Sequence, residues 1–291
     1  MTLKDISKIP AVVIHRGDKS YLKYSLEISS KNNDVVLIGD TDLSKYSQLN
    51  NKIHFVNIKK YENDESIVAF KKHFKNYSTN DAEFEWRCFE RVFIIQKFMK
   101  EYKVSKVFHM DSDAVLLVDI NKLNYEKQCG YLTPTIQDNH RMDSSIHFSL
   151  LDINFCIKFQ KLYEEIYVSG NKLNLIKQKI DFHNLNSLKG GICDMTLYYL
   201  LKVEKYIDPQ NFMREVKDLN QEEYVFLNNI NIGEGFYGIN NYVMKGKFIK
   251  ISNKSVEDKI QNKKIKIAGI HFQGVAKKKL NWFLNYKLKL I

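Results

Sequence analysis

The chain has 291 residues, a net charge of +11, a hydrophobic fraction of 44% and a charged fraction of 27%. This length can bury a large core, and the composition is ordinary for a soluble globular protein. The four cysteines show no CxxC spacing, which argues against a zinc ribbon or a disulfide scaffold and fits a reducing compartment. The first ten residues lack the apolar core of a secretory signal, and no run is long enough to span a bilayer, so we expect a cytoplasmic protein.

The first sixty residues alternate short apolar runs with a helical pattern. Strands are predicted over 11–14, 34–40 and 53–58. This order predicts an α/β fold with a mostly parallel sheet, in which ligands bind beyond the carboxyl ends of the strands. The residues that follow these strand ends are His15, Arg16, Gly17 and Asp40. They are candidates for ligand binding, and ordinary loop residues are the alternative.

The clearest helical pattern covers Glu83 to Lys100, with an apolar stripe that includes Phe84, Val92 and Met99. At about 100° per residue, Arg91 lies near the edge of this stripe. A guanidinium there can reach a phosphate or a carboxylate beside the sheet, and pairing with a structural acid is the alternative.

Two apolar runs in the stretch KVFHMDSDAVLLV, residues 106–118, are separated by Asp111, Ser112 and Asp113. Runs this short, rich in Val, Leu and Phe, are typical of buried strands. Burying both carboxylates without partners would cost several kcal/mol each, roughly, so a cation should meet them. A divalent metal that carries a phosphate is the leading interpretation.

The middle of the chain predicts a strand over 129–135, a polar loop over 137–145 and an amphipathic helix over 155–166. The Asn- and Lys-rich segment 169–186 reads as an irregular surface excursion. Gly190 and Gly191 permit a tight turn or a close backbone approach. Asp194 then opens a helix, at an end that favours its charge, and a simple N-terminal carboxylate is the alternative to a substrate-facing role.

The C-terminal part begins with a glycine- and aromatic-rich segment, 231–251, which suggests β-structure and turns. An apolar alternating run, 265–271, ends at His271, and Gly274 and Lys277 follow. The glycine lets backbone approach closely, and the lysine cluster suits phosphate, although a lone histidine at a strand end is more often structural. The basic and aromatic tail leaves two interpretations open, peripheral contact with an anionic membrane or packing onto the domain.

The stretch FERVFIIQKFMKEYKVSKVFHMDSDAVLL resembles the helix, strand and DxD unit of GT-A nucleotide-sugar glycosyltransferases. The late HFQGVAKK resembles the HxxGxxK element of glycogenin-like and bacterial galactosyltransferase-like retaining enzymes, although Lys278 stands where a proline often follows the lysine. GGICDMTL is similar to the acceptor-side turn and helix. The resemblance implies one GT-A domain over 1–291, with a nucleotide-sugar half over about 1–135 and an acceptor half with the metal and diphosphate element over about 136–291.

The resemblance also implies roles for individual residues. Asp113 and His271, with Asp111 next, would hold Mn²⁺ or Mg²⁺, and Gly274 and Lys277 would meet the diphosphate. Asp194 would lie by the anomeric carbon or the acceptor hydroxyl, as a base in an inverting enzyme or a stabilising charge in a retaining one. Retention is favoured by the HxxGxxK element. The donor would be a nucleotide diphosphate sugar, with UDP as the expected nucleotide, and the acceptor a glycan or glycolipid of surface polysaccharide synthesis.

Two other functions compete with glycosyl transfer. A nucleotidyltransferase also uses paired aspartates on metal, but it would be expected to have a glycine-rich, basic phosphate loop early in the chain, and HRGDK at residues 15–19 matches that poorly. A non-enzymatic nucleic-acid binder is suggested by the net charge alone, and only the tail offers the interleaved basic and aromatic residues that it needs. We therefore do not expect nucleic acid as a partner.

Overall fold

A computed structural model describes residues 8–133, 140–227, 249–252, 254–258 and 263–286. Its strands are β1 (Ala11–His15), β2 (Val35–Gly39), β3 (Ile53–Asn57), β4 (Lys106–Met110), β5 (Ala114–Leu116), β6 (Gly130–Leu132), β7 (Ser145–Asp152), β8 (Gln210–Asn211), β9 (Val216–Lys217), β10 (Glu223–Leu227), β11 (Ile249–Ser252), β12 (Ser255–Asp258) and β13 (Lys263–His271). Its α-helices are α1 (Ser20–Ser29), α2 (Lys59–Glu62), α3 (Glu65–His73), α4 (Ala82–Tyr102), α5 (Ile153–Tyr163), α6 (Asn174–Leu185), α7 (Asp194–Val203) and α8 (Leu280–Tyr286).

The larger sheet has seven strands in the order β3-β2-β1-β4-β7-β6-β8. Strands β3, β2, β1 and β4 are parallel neighbours, and β7 is antiparallel to β4 and β6. Because β6 and β8 are also parallel, all strands of this sheet except β7 run in one direction. The prediction of an α/β fold with a mostly parallel sheet is confirmed.

A second sheet joins the centre of the chain to its C-terminal part. Its strands follow the order β11-β12-β13-β10-β9, and β5 pairs with β13 as well. The β5–β13 ladder is antiparallel, with His271 opposite Ala114. This ladder connects the segment just after the two aspartates to the end of β13.

The core lies on both faces of the larger sheet because successive strand residues point to opposite sides. Val12 and Val36 pack with the apolar residues of α4, α5 and α7. Their neighbours Val13 and Leu37 pack with α1 and the second sheet. The sheet is thus covered on both sides, as the continuous apolar runs of its parallel strands predict.

Helix α4 begins at a capped N-terminus, where the Asp81 side chain accepts a hydrogen bond from Phe84 N. It ends at Lys103, whose left-handed conformation (φ 56°) closes the last turn. Val92 and Met99 are buried as predicted. Phe84 was wrongly placed on the buried stripe, because its side chain is 58% exposed at the first turn of the helix.

One element was missed and one further prediction was wrong. Strand β7 was not predicted, although its alternation of serine and histidine with apolar residues is the pattern of a half-buried strand. The segment expected to be an irregular excursion contains the twelve-residue helix α6, which buries Ile176 and Lys179. The start of the polar loop near Gln137 and most of the segment 231–251 lie outside the described residues.

Helix α8 packs onto the domain. Leu280 and Leu284 are buried in the same cluster as residues of α1. This supports packing of this part of the tail onto the domain, and residues 287–291 lie outside the described residues. Within the described ranges, every helix is too short or too polar to traverse a lipid bilayer.

Candidate active site

Three strands bring the acidic pair and His271 together. Strand β4 ends just before Asp111, and β5 begins just after Asp113. Because β5 pairs with the end of β13, Phe272 N donates to Asp113 O at 2.9 Å. The prediction that His271 folds back beside Asp113 is confirmed, since His271 Nε2 lies 3.2 Å from Asp113 Oδ1.

Asp111 divides its two carboxylate oxygens between different partners. Oδ1 accepts a hydrogen bond from Arg91 Nη1 at 2.8 Å. Oδ2 lies 3.4 Å from His147 Nε2 and 3.8 Å from His271 Nε2. Burial alone would raise the pKa of Asp111, but His147, Arg91 and His271 outweigh it and hold that pKa well below its usual range.

Asp113 is 4% exposed and also has a different partner on each oxygen. Oδ1 faces His271, and Oδ2 pairs with Lys277 Nζ at 2.8 Å. Burial would raise the pKa of Asp113, but His271 and Lys277 lower it overall. Burial would likewise lower the pKa of Lys277, and the attraction of Asp113 raises it. The cations expected beside the buried carboxylates are therefore present in the chain itself.

His147 is a site residue that the sequence analysis missed. It lies on β7, next to β4, and its carbonyl oxygen accepts a hydrogen bond from Asp111 N at 3.1 Å. Its ring centroid is 4.1 Å from that of His271. An alternating run over 145–151 predicts a strand, but nothing local indicates that this strand adjoins the acidic pair.

Asp194 is connected to Asp111 through Arg91. Asp194 is the first residue of α7, as predicted, and is 3% exposed. Its Oδ2 accepts a hydrogen bond from Arg91 Nη2 at 2.6 Å, and its Oδ1 accepts one from Met195 N at 3.0 Å. Arg91 thus bridges the partly buried Asp111 and the buried Asp194, which come from distant parts of the chain.

A cavity of about 770 Å³ opens over these groups. Eight of the residues predicted to form the site line it: His15, Arg91, Asp111, Ser112, Asp113, Asp194, His271 and Lys277. Its lining also includes His147, Tyr21 and Asp143. The volume suits a ligand of the size of a small organic cofactor or substrate.

Six other predicted site residues, all in the described part of the chain, do not line this cavity: Arg16, Gly17, Asp40, Gly190, Gly191 and Gly274. Arg16 donates to Glu62 at 2.6 Å and to Glu90 at 3.2 Å, so its guanidinium is paired with acidic side chains of the chain itself. Gly17 N donates to Asp40 Oδ2 at 2.7 Å. The ligand-binding roles of these three residues stay predictions.

The glycine pair makes a close backbone approach. Gly190 and Gly191 have φ angles of 91° and 136°. A Cβ atom on Gly191 would lie 2.3 Å from Tyr77 O. The pair packs against residues 77–79 and leads into α7, and its acceptor-side role stays a prediction. Gly274, also with a positive φ of 58°, lies in the turn after His271, and its role at a diphosphate is likewise a prediction.

The remaining wall of the cavity carries polar groups with unusual environments. Among the described residues, His15 Nε2 is buried without a hydrogen-bond partner, and burial lowers the pKa of His15. Burial raises the pKa of Tyr21, whose hydroxyl hydrogen-bonds with Ser112. Asp143 is held by Lys179 of α6, whose ammonium group donates to it at 3.1 Å.

The residues at the acidic pair have the donor chemistry of a divalent-metal site. One oxygen or nitrogen atom each from Asp111, His147 and His271 lies within 4.8 Å of the other two. Asp113 adds a carboxylate oxygen 3.2 Å from His271. Carboxylate oxygens with imidazole nitrogens suit Mn²⁺ and related ions, so the residues fit the metal that the resemblance implies.

No protein-family model and no curated protein sequence matches this chain. Among solved structures, mouse xyloside xylosyltransferase 1 in its apo form is similar, with a TM-score of 0.49 and 8% identity over 70% of this chain and 85% of that one. The PaToxG glycosyltransferase is similar with a TM-score of 0.42 and 13% identity over 68% of this chain and 70% of that one. At these identities and TM-scores, neither likeness decides what this chain does.

Proposed function

We propose that the chain is a metal-dependent glycosyltransferase that moves a sugar from a nucleotide diphosphate to a glycan or glycolipid acceptor. The observation that carries this proposal is the convergence of Asp111, Asp113, His271 and Lys277 on one cavity that Asp194 also lines. Transfer from a sugar diphosphate needs three components: metal-binding groups, a cation that can pair with a phosphate, and a buried carboxylate. UDP is the nucleotide we favour, on the resemblance alone.

Asp111, Asp113 and His271 would hold Mn²⁺ or Mg²⁺. When bound, the ion shields the negative charge of the diphosphate as the glycosidic bond breaks. Lys277 pairs with Asp113 Oδ2 at 2.8 Å, and its ammonium group would neutralise the negative charge of the leaving diphosphate. Ser112 and Arg91 line the same cavity and are proposed donor contacts.

Asp194 is better suited to stabilising positive charge than to removing a proton. Both of its oxygens already accept hydrogen bonds, one from Arg91 and one from Met195 N. A buried carboxylate in this position favours the oxocarbenium-like centre that develops on the sugar. This supports a retaining reaction, in agreement with the resemblance of HFQGVAKK to retaining enzymes.

The test is a thermal-shift screen of nucleotide diphosphates with Mn²⁺, followed by an assay for hydrolysis and transfer with the matching sugar nucleotides. Asp113→Asn should abolish turnover while the chain stays folded. Asp208→Asn, at an exposed ion pair with Lys127, is the matched control and should keep full activity. Full activity in Asp113→Asn, or in EDTA, would refute the metal mechanism, and pyrophosphate release from a nucleoside triphosphate would identify a nucleotidyltransferase instead.

A further inference from the structure

We propose that Asp111, His147 and His271 bind a transition-metal ion directly, before a nucleotide arrives, and that His147 makes the site prefer Mn²⁺ or Co²⁺ to Mg²⁺. This inference deepens the proposed function and rests on it, because it names the class of metal that the same site takes. The resemblance assigns one histidine to the metal, whereas the structure places two imidazoles at one carboxylate oxygen.

The spacing of the three ligand atoms suits coordination of one ion. Asp111 Oδ2 lies 3.4 Å from His147 Nε2 and 3.8 Å from His271 Nε2. Two atoms bound about 2.1 Å from the same ion are ~3.0 Å apart at a right angle and ~3.4 Å apart at a tetrahedral angle. The two distances from Asp111 Oδ2 are therefore close to those between ligands of one ion, and all three ligand atoms lie within 4.8 Å of one another.

Arg91 and Lys277 each contact one oxygen of an aspartate, and the other oxygen of each aspartate faces a histidine. Arg91 takes Oδ1 of Asp111 and leaves Oδ2 to the two histidines. Lys277 takes Oδ2 of Asp113 and leaves Oδ1 to His271. The side chains come from three separated segments, and His271 is only 2% exposed. The ligand atoms are thus held together by contacts within the chain itself.

The donor types set the metal preference. Mg²⁺ is bound mainly by oxygen atoms and keeps several waters, so it gains little from two imidazoles. Mn²⁺ and Co²⁺ accept imidazole nitrogen readily, and Co²⁺ does so more strongly than Mn²⁺. A site with two histidines and a carboxylate should therefore bind Co²⁺ most tightly of the three, then Mn²⁺, and Mg²⁺ at least ~10-fold more weakly than Mn²⁺.

The first experiment is calorimetric titration of the EDTA-stripped chain with Mn²⁺, Co²⁺ and Mg²⁺, with no nucleotide present. One tight site for Mn²⁺ and Co²⁺ is expected, and His147→Ala should weaken it by at least ~10-fold. His73→Ala, at the last residue of α3 and outside the cavity, is the matched control and should bind like the unaltered chain. Unchanged binding in His147→Ala, or equal affinity for Mg²⁺ and Mn²⁺, would overturn the inference.

A spectroscopic measurement on the unaltered chain tests the inference even if the His147→Ala variant does not fold. Pulsed electron paramagnetic resonance of the Mn²⁺-loaded chain should detect nitrogen couplings from two imidazoles, and one or none would contradict the proposal. Neither measurement needs sugar transfer. Transfer that proceeds with one imidazole on the metal would overturn only this inference, whereas two-imidazole binding without turnover of any sugar nucleotide would overturn only the proposed function.

Discussion

Arg91 should be the residue whose loss most destabilises the ligand-free site. Its guanidinium donates to Asp111 at 2.8 Å and to Asp194 at 2.6 Å, and the Asp194 side chain is only 4% exposed. Arg91→Met keeps most of the side-chain length and the apolar contacts of α4 but removes both ion pairs. The buried carboxylate of Asp194 and the partly buried carboxylate of Asp111 would then lose their shared cation.

The expected cost follows from how many partners remain. Removing one member of a buried ion pair costs about 3–5 kcal/mol. Asp111 keeps His147 and His271, so most of the loss falls on Asp194 and the lower end of that range applies. For a chain of this size about 3 kcal/mol corresponds to a decrease of roughly 6 °C in Tm.

The assay is urea and thermal unfolding of the metal-free chain, with Arg87→Met as the matched control. Arg87 lies one turn earlier on α4 and pairs with Glu83 at the surface, so its loss should cost at most about 1 kcal/mol. Adding Asp194→Asn to Arg91→Met should recover part of the loss, because the carboxylate without a partner is then neutral. The reasoning fails if Arg91→Met is no less stable than Arg87→Met, or if Asp194→Asn recovers nothing.

Three further predictions concern stability. Gly191→Ala should lower Tm by at least about 4 °C, because φ is 136° at this position and the new Cβ would lie 2.3 Å from a backbone oxygen. Gly170→Ala, with φ 72° and open space around the new Cβ, should lower Tm by about half as much. The lowered pKa of Asp113 means that its stabilisation is present above the unfolded value of about 4 and is lost as pH falls through the folded value. The urea midpoint of the metal-free chain should therefore fall as the pH is lowered below about 4, less steeply in Asp113→Asn. Lys179→Met should lower the free energy of unfolding in urea by at least ~2 kcal/mol, because its buried ammonium group donates hydrogen bonds to three oxygens of the cavity wall and α7. Lys177→Met, on the exposed face of α6, should lower it by less than ~1 kcal/mol. Equal losses in the two lysine variants, no difference between the two glycine variants, or identical pH profiles would refute the respective predictions.

Local pattern alone was enough for several of the strands and helices around the acidic pair. Apolar runs predicted β1 to β4, and helical periodicity predicted α1, α4 and α7. The two aspartates were recognised because buried carboxylates need cations, and the structure supplies Arg91 and Lys277 as such partners. Prediction failed at β7, whose alternating pattern was not recognised, and at α6, which is polar except where Ile176 and Lys179 are buried.

The sequence by itself determined that Asp111, Asp113 and Asp194 lie at the ends of their elements, because these positions follow from neighbours along the chain. Only the tertiary structure decided what these residues meet. The β5–β13 ladder brings His271 to Asp113, and the β4–β7 ladder brings His147 to Asp111. Such pairings depend on which segments bury their apolar faces together, and that choice is made across the whole sheet rather than within any one segment. For that reason the sequence predicted one histidine at the acidic pair, and the fold places two there.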